Sequence, residues 1–92
     1  MLYTVYILYS ESHNKIYIGY TSSLIERFKS HNYLGTKGYT IKYRPWVVIY
    51  CEHIIGKETA MKKERELKGG KGKEWIWQKI ETNLNLKGFI SA

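Results

Sequence analysis

The sequence predicts an α+β domain: a small, three-stranded, mostly antiparallel sheet flanked by helices, in the order β-β-α-β-α-α. Three observations predict it. Residues 2–9 (LYTVYILY) and 15–20 (KIYIGY) are rich in aromatic and β-branched side chains. Only a polar cluster, Ser10 to Asn14, separates them, so they read as an antiparallel hairpin. Residues 46–52 (WVVIYCE) form a continuous apolar run, as expected of a well-covered third strand. The remaining segments, 24–32, 57–68 and 73–82, read as helices, which completes an α+β pattern around that sheet.

The elements follow in order. After the hairpin, Ser23 with Glu26 three residues later fits a capping box, in which side chains satisfy the free amides of a first helical turn. The helix it starts is predicted over Leu24 to Asn32, with Leu24, Ile25 and Phe28 as its apolar face. Gly35 and Gly38 mark a loop that ends near Pro45. A second helix is predicted over Lys57 to Lys68, broken by Gly69, Gly70, Lys71 and Gly72. Residues 73–82 (KEWIWQKIET) read as a third helix that packs through Trp75, Ile76 and Ile80. Residues 1–83 are expected to form one domain and 84–92 a C-terminal tail.

Composition narrows the function. At 92 residues and 43% apolar, the chain has the size and core of one folded domain. Cys51 is the single cysteine, which excludes an intramolecular disulfide and a cysteine-based zinc site. Its apolar surroundings predict a small buried side chain. No signal peptide and no membrane-spanning stretch is read, so the expected compartment is the cytoplasm and the default state a monomer. Fifteen Lys and Arg against eight Asp and Glu give a net charge of +7, and the partner class this favours is a polyanion.

Five residues carry candidate chemistry. On the second helix each step turns about 100°, which puts Glu64 only about 40° from Ala60, within the stripe of Ala60 and Leu67. A carboxylate on an apolar stripe needs a partner: a buried Arg, a Tyr hydroxyl or a metal. On the first helix, Arg27 and His31 are four residues apart, one above the other on the flank of the apolar face. Arginine suits phosphate because its planar fork of donors matches the oxygens. A register placing Tyr6 opposite Tyr17 puts both hydroxyls on one face of the hairpin. Gly19 lies on that face and leaves room for a ligand. Taken singly, each feature also fits ordinary packing or a solvated basic face. Taken together they supply a metal ligand, a phosphate clamp and hydroxyls able to orient water, the groups a phosphodiester hydrolysis site needs.

The same residues resemble the GIY-YIG nuclease family, in particular its short stand-alone bacterial members. Thr4-Val5-Tyr6 stands at the first triplet, with Thr4 in place of glycine, and Tyr17-Ile18-Gly19 is the second. Thr21, Arg27 and His31 match the pattern that follows, and Glu58 to Lys68 resembles the helix whose inner glutamate, here Glu64, binds metal. The likeness runs from about Leu2 to about Ile80. It implies an endonuclease acting on nucleic acid, with DNA as the expected substrate, and a single Mg²⁺ (or Mn²⁺) held by Glu64. It further implies that Arg27 grips the phosphate, Tyr17 is the general base and Tyr6 orients water or phosphate. His31 is either a second proton-transfer group or an orienting donor. The family's additional polar residue near the C-terminal end has Asn83 as its candidate. A targeting protein partner is compatible with a chain that shows no separate DNA-binding domain. Two other readings stand beside the nuclease: a catalytically silent nucleic-acid-binding module, and a protein-interaction domain with the same polar residues as a structural network. Neither needs a divalent site that depends on Glu64.

Overall fold

A strand with one face in water alternates buried and exposed residues, whereas Thr4 to Ser10 of β1 (Leu2–Ser10) are buried without interruption. Both faces of this strand are therefore covered. The computed structural model describes the backbone of residues 1–35 and 38–91, and the side chains of these except 33, 34 and 83–91. In it β1 is the central strand, antiparallel to β2 (Lys15–Thr21) on one edge and to β3 (Val47–Ile55) on the other. The helical elements are α1 (Leu24–Lys29), a π-helical turn over Ser30–Leu34, a single turn α2 (Tyr39–Lys42), α3 (Lys57–Lys68) and α4 (Gly70–Ser91). This is the predicted α+β architecture, with α2 as an extra turn inside the expected loop.

Alternation along β1 sorts its side chains into two cores. Val5, Ile7 and Tyr9 pack with Ile18 of β2, Ala60 and Leu67 of α3, and Ile76 and Ile80 of α4. Tyr6 and Leu8 point the other way, onto Trp46, with Tyr17, Leu24, Phe28 and Tyr43 around them. No helix among the described residues is long and apolar enough to cross a membrane.

Several local expectations change. Ser23 is the residue before α1 but makes no side-chain cap. Instead its N–H donates to Thr21 Oγ1 (3.0 Å), so Thr21 fixes the turn into the helix. Ile25 is 71% exposed, leaving Leu24 and Phe28 to face the core. The predicted first helix ends early as an α-helix because Arg44 takes the carbonyls beyond it: Nε donates to His31 O, and Nη2 to Ser30 O and Gly35 O. β3 ends three residues later than predicted and is not well covered: it is an edge strand with Val47, Val48, Cys51 and Ile55 exposed. Cys51 pairs with Tyr6 across the ladder, but the layer over Tyr6 stops short of β3, so the thiol is on the surface.

The glycine cluster after α3 does not open a long break. Only Gly69 separates α3 from α4, which starts three residues early and continues through Ser91. Gly72 makes this possible, since a Cβ there would lie 2.6 Å from the Leu67 backbone. Within α4, Ile76 and Ile80 are buried as expected. Trp75 is 42% exposed and rests edge-on against Tyr50.

Candidate active site

Two tyrosines and a glycine open the site. Tyr6 pairs with Gly19 and Leu8 with Tyr17, a register two residues from the Tyr6–Tyr17 pairing that the sequence suggested. The turn sets it: Ser10 pairs with Lys15, Asn14 adopts φ 54°, and the Tyr9 hydroxyl donates to Asn14 Oδ1 at 3.0 Å. A shift of two residues keeps the face, so Tyr6 and Tyr17 still share it, their rings stacked at 6.2 Å. Gly19 sits beneath the Tyr6 ring. A Cβ there would come within 2.6 Å of the Tyr6 hydroxyl. The glycine therefore makes room for Tyr6 itself.

Because β2 is an edge strand, side chains from helices on the two sides of the sheet meet around it. Arg27 of α1 and Glu64 of α3 line one open hollow of about 470 Å³ with Tyr6, Tyr17 and Gly19. Glu64 keeps its expected place between buried Ala60 and Leu67, with its side chain 16% exposed. Its side-chain hydrogen bond comes from neither an arginine nor a tyrosine: Lys68 Nζ donates to Glu64 Oε1 at 2.9 Å. Interaction with the Tyr6 hydroxyl raises Arg27 above its ordinary value, and the guanidinium stays charged.

His31 takes a different position. It lies in the π-helical turn, is 6% exposed, and is absent from the wall of the hollow. Its Nε2 and the Tyr6 hydroxyl form a 3.0 Å hydrogen bond, and its ring rests 4.6 Å from that of Tyr17. Burial, followed by the positive charges of Arg27 and Arg44, lowers the imidazole below its usual value, so it is neutral at neutral pH. Burial, reinforced by neighbouring Tyr17, pushes the Tyr6 hydroxyl up to about 12. Tyr6 and His31 thus form a neutral pair. Asn32 anchors the same turn by a two-way bond to the Trp46 backbone: Nδ2 donates to Trp46 O (2.9 Å) and Trp46 N–H donates to Oδ1 (2.6 Å).

The donor set indicates what cation could bind. Among the described residues no three His, Cys, Asp or Glu side chains converge, and Glu64 is the one carboxylate on the wall of this hollow. Zinc would need three or four protein ligands. Magnesium keeps most of its waters and accepts a single carboxylate, and an open hollow leaves room for those waters. The residues present therefore fit Mg²⁺ or Mn²⁺ at Glu64.

Sequence reasoning missed four participants. Lys57 lines the hollow from the start of α3, and nothing in its spacing marked it. Lys68 was legible, since it stands four residues after Glu64 on one helix. Arg44 and Asn32 act through backbone atoms, which leave no pattern in the sequence. Thr4, in the place of the first triplet's glycine, is buried and bonds His53 Nδ1 of β3 at 3.0 Å. The side chain of Asn83 lies outside the described residues.

Comparison with known proteins gives the family. A UPF0213 protein of Staphylococcus haemolyticus (strain JCSC1435) is 38% identical over 55 residues, 60% of this chain and 67% of that protein. The solution NMR structure of a UPF0213 protein from Bacillus halodurans superposes with a TM-score of 0.51 at 28% identity, over 85% of this chain and 84% of that one. Residues 2–80 match the family described as the GIY-YIG catalytic domain, and the chain belongs to that nuclease family.

Proposed function

We propose that the protein is a divalent-metal-dependent endonuclease that hydrolyses phosphodiester bonds, with DNA as its substrate. One observation carries the reading: Tyr6, Tyr17, Arg27 and Glu64 line a single open hollow in which Glu64 is the one carboxylate. Glu64, now bonded to Lys68, would hold the cation. A cation bound there supplies charge neutralisation at the phosphate and the departing oxygen.

The chain's own groups do the rest. Arg27 holds a non-bridging phosphate oxygen and offsets the charge that grows on it during attack. Tyr17, entering as the phenolate, takes the proton of the attacking water and becomes the neutral phenol. Tyr6 is buried and already bonded to His31, and its hydroxyl, pushed up to about 12, keeps its proton at neutral pH. It serves as a fixed donor that orients the water or the phosphate. His31 is buried behind Tyr6 and bonded to it, so it acts as a positioning residue and not as a second proton-transfer group.

Glu64→Gln tests the assignment. The variant keeps its shape and its thermal melt but loses cation-dependent cleavage, and a Mn²⁺ titration shows the weakened site directly. Wild-type cleavage by the variant would overturn the role of Glu64. A wild-type protein that binds nucleic acid, ignores Mn²⁺ and cuts nothing would be the catalytically silent module instead.

A further inference from the structure

A second hollow, of about 520 Å³, adjoins the first. The two share Tyr17, and Lys68 on the wall of the second is the partner of Glu64 in the first. Lys15, Lys68 and Lys73 line it, and among the described residues no acidic side chain does. Two further aromatic residues stand among these lysines: Tyr39, which is 46% exposed, and half-buried Trp77 of α4. The free edge of β2 runs along the groove, and the Tyr39 hydroxyl reaches across to Ile16 O at 3.5 Å. Lys15 also lies over the Tyr43 ring, 5.5 Å from its centre.

Lysines without acidic neighbours suit a chain of phosphates. Aromatic rings among them suit bases, but only bases whose faces are free. In a duplex each base is covered above and below by its neighbours. Side-chain stacking therefore selects unpaired nucleotides. From this we infer that the groove holds an unpaired stretch of nucleic-acid strand next to the bond to be cut. Lys15 and Lys73 hold its phosphates, and Tyr39 and Trp77 stack on its bases. The substrate class is then single-stranded nucleic acid, or a strand that has left its duplex. This rests on the nuclease reading for the identity of the ligand, but it is measured by binding alone.

The experiment uses the full chain in EDTA, so that nothing is cut. Fluorescence anisotropy compares labelled oligothymidylate of about 12 nucleotides, a span one small fold can cover, with oligouridylate and with a DNA duplex of equal length. The unpaired strands should bind at least about tenfold more tightly than the duplex, the scale of losing one stacked base or more. The double variant Lys15→Ala/Lys73→Ala should lose that preference and show a shallower salt dependence. Tyr39→Leu, which keeps apolar bulk but loses the ring, should weaken single-strand binding about fivefold or more. Lys79→Ala is the control, since Lys79 lies over the Trp75 ring and outside the groove. Equal affinity for single strand and duplex would overturn the inference, as would a double variant that binds like wild type. Cleavage in Mg²⁺ separates the two readings. A protein that cuts duplex without the binding preference retains its nuclease function and loses the groove. A protein that binds strands through the groove and cuts nothing does the opposite.

Discussion

Arg27 and Lys29 stand two positions apart on α1 and both are exposed, yet only Arg27 lines the hollow with Tyr6, Tyr17 and Glu64. A guanidinium at the reacting phosphate acts mainly on the transition state, whereas a lysine elsewhere on the surface supplies attraction that salt screens. Arg27→Ala should lower the single-turnover cleavage rate at saturating enzyme by about a hundredfold, the scale of one lost transition-state donor. Lys29→Ala should change apparent affinity and leave that rate alone. Rate and affinity measured for both variants decide between a clamp and a docking residue, and an Arg27→Ala protein that cuts normally once saturated would remove Arg27 from the site. Gly19 offers a second test. An added methyl would press on the Tyr6 hydroxyl, which is held by its bond to His31 and by the stacked Tyr17 ring. Gly19→Ala should cost about 1–3 kcal/mol in thermal melts, as overpacking does, and should reduce cleavage by displacing Tyr6. An unchanged melting temperature would mean the ring yields easily. At this scale the sequence was informative where residue spacing encodes a face: Glu64 fell between Ala60 and Leu67, and they are its buried neighbours. Its bond to Lys68 was available from the same spacing.

Among the elements, the π-helical turn Ser30–Leu34 governs how the site is held. Arg44 grips its carbonyls, Asn32 ties it to Trp46, and His31 leaves it to meet Tyr6. None of this is periodic, which is why the sequence suggested a plain helix to Asn32 with His31 stacked above Arg27. A turn whose bonds go to a side chain ten or more residues away carries no local signature. The hairpin register was out of reach for a related reason: it depends on the backbone at Asn14, and the hydrophobic pattern cannot distinguish registers two residues apart. β3 misled because an apolar run looks the same whether helices cover it or it lies at an edge. The state of His31 makes the turn testable. Its folded value lies below the ordinary imidazole value of 6.5, so the unfolded chain binds a proton that the folded one refuses. The resulting stability is intact above that value and is lost as pH falls through the folded one. Melting temperature should therefore drop as the solution is acidified from neutral, and His31→Gln should flatten that part of the profile. A parallel profile in the variant would mean that His31 takes up a proton in the folded protein as readily as in the unfolded chain.

At the scale of the molecule, one strand organises everything. β1 supplies Tyr6 to the site, carries both cores, and is bonded along both edges, with the candidate site at the β2 side and an exposed edge at β3. The fold class was readable because strand and helix periods alternate clearly along the chain. The meeting of α1 and α3 around β2 was not, since it depends on which strand lies at the edge. The central place of β1 also has a consequence in time. Its partner on one side follows almost at once, Ser10 pairing with Lys15, while its partner on the other is distant, Leu2 pairing with Ile55. During synthesis the first hairpin is complete long before the third strand exists, and an isolated two-stranded hairpin is marginal in water. A nascent chain therefore carries β1 with one row of backbone donors and acceptors bare, open to pairing with another chain. By topology, closure of that distant pair is the step expected to limit folding, and α3, which brings Glu64, follows β3 in the chain and packs on all three strands.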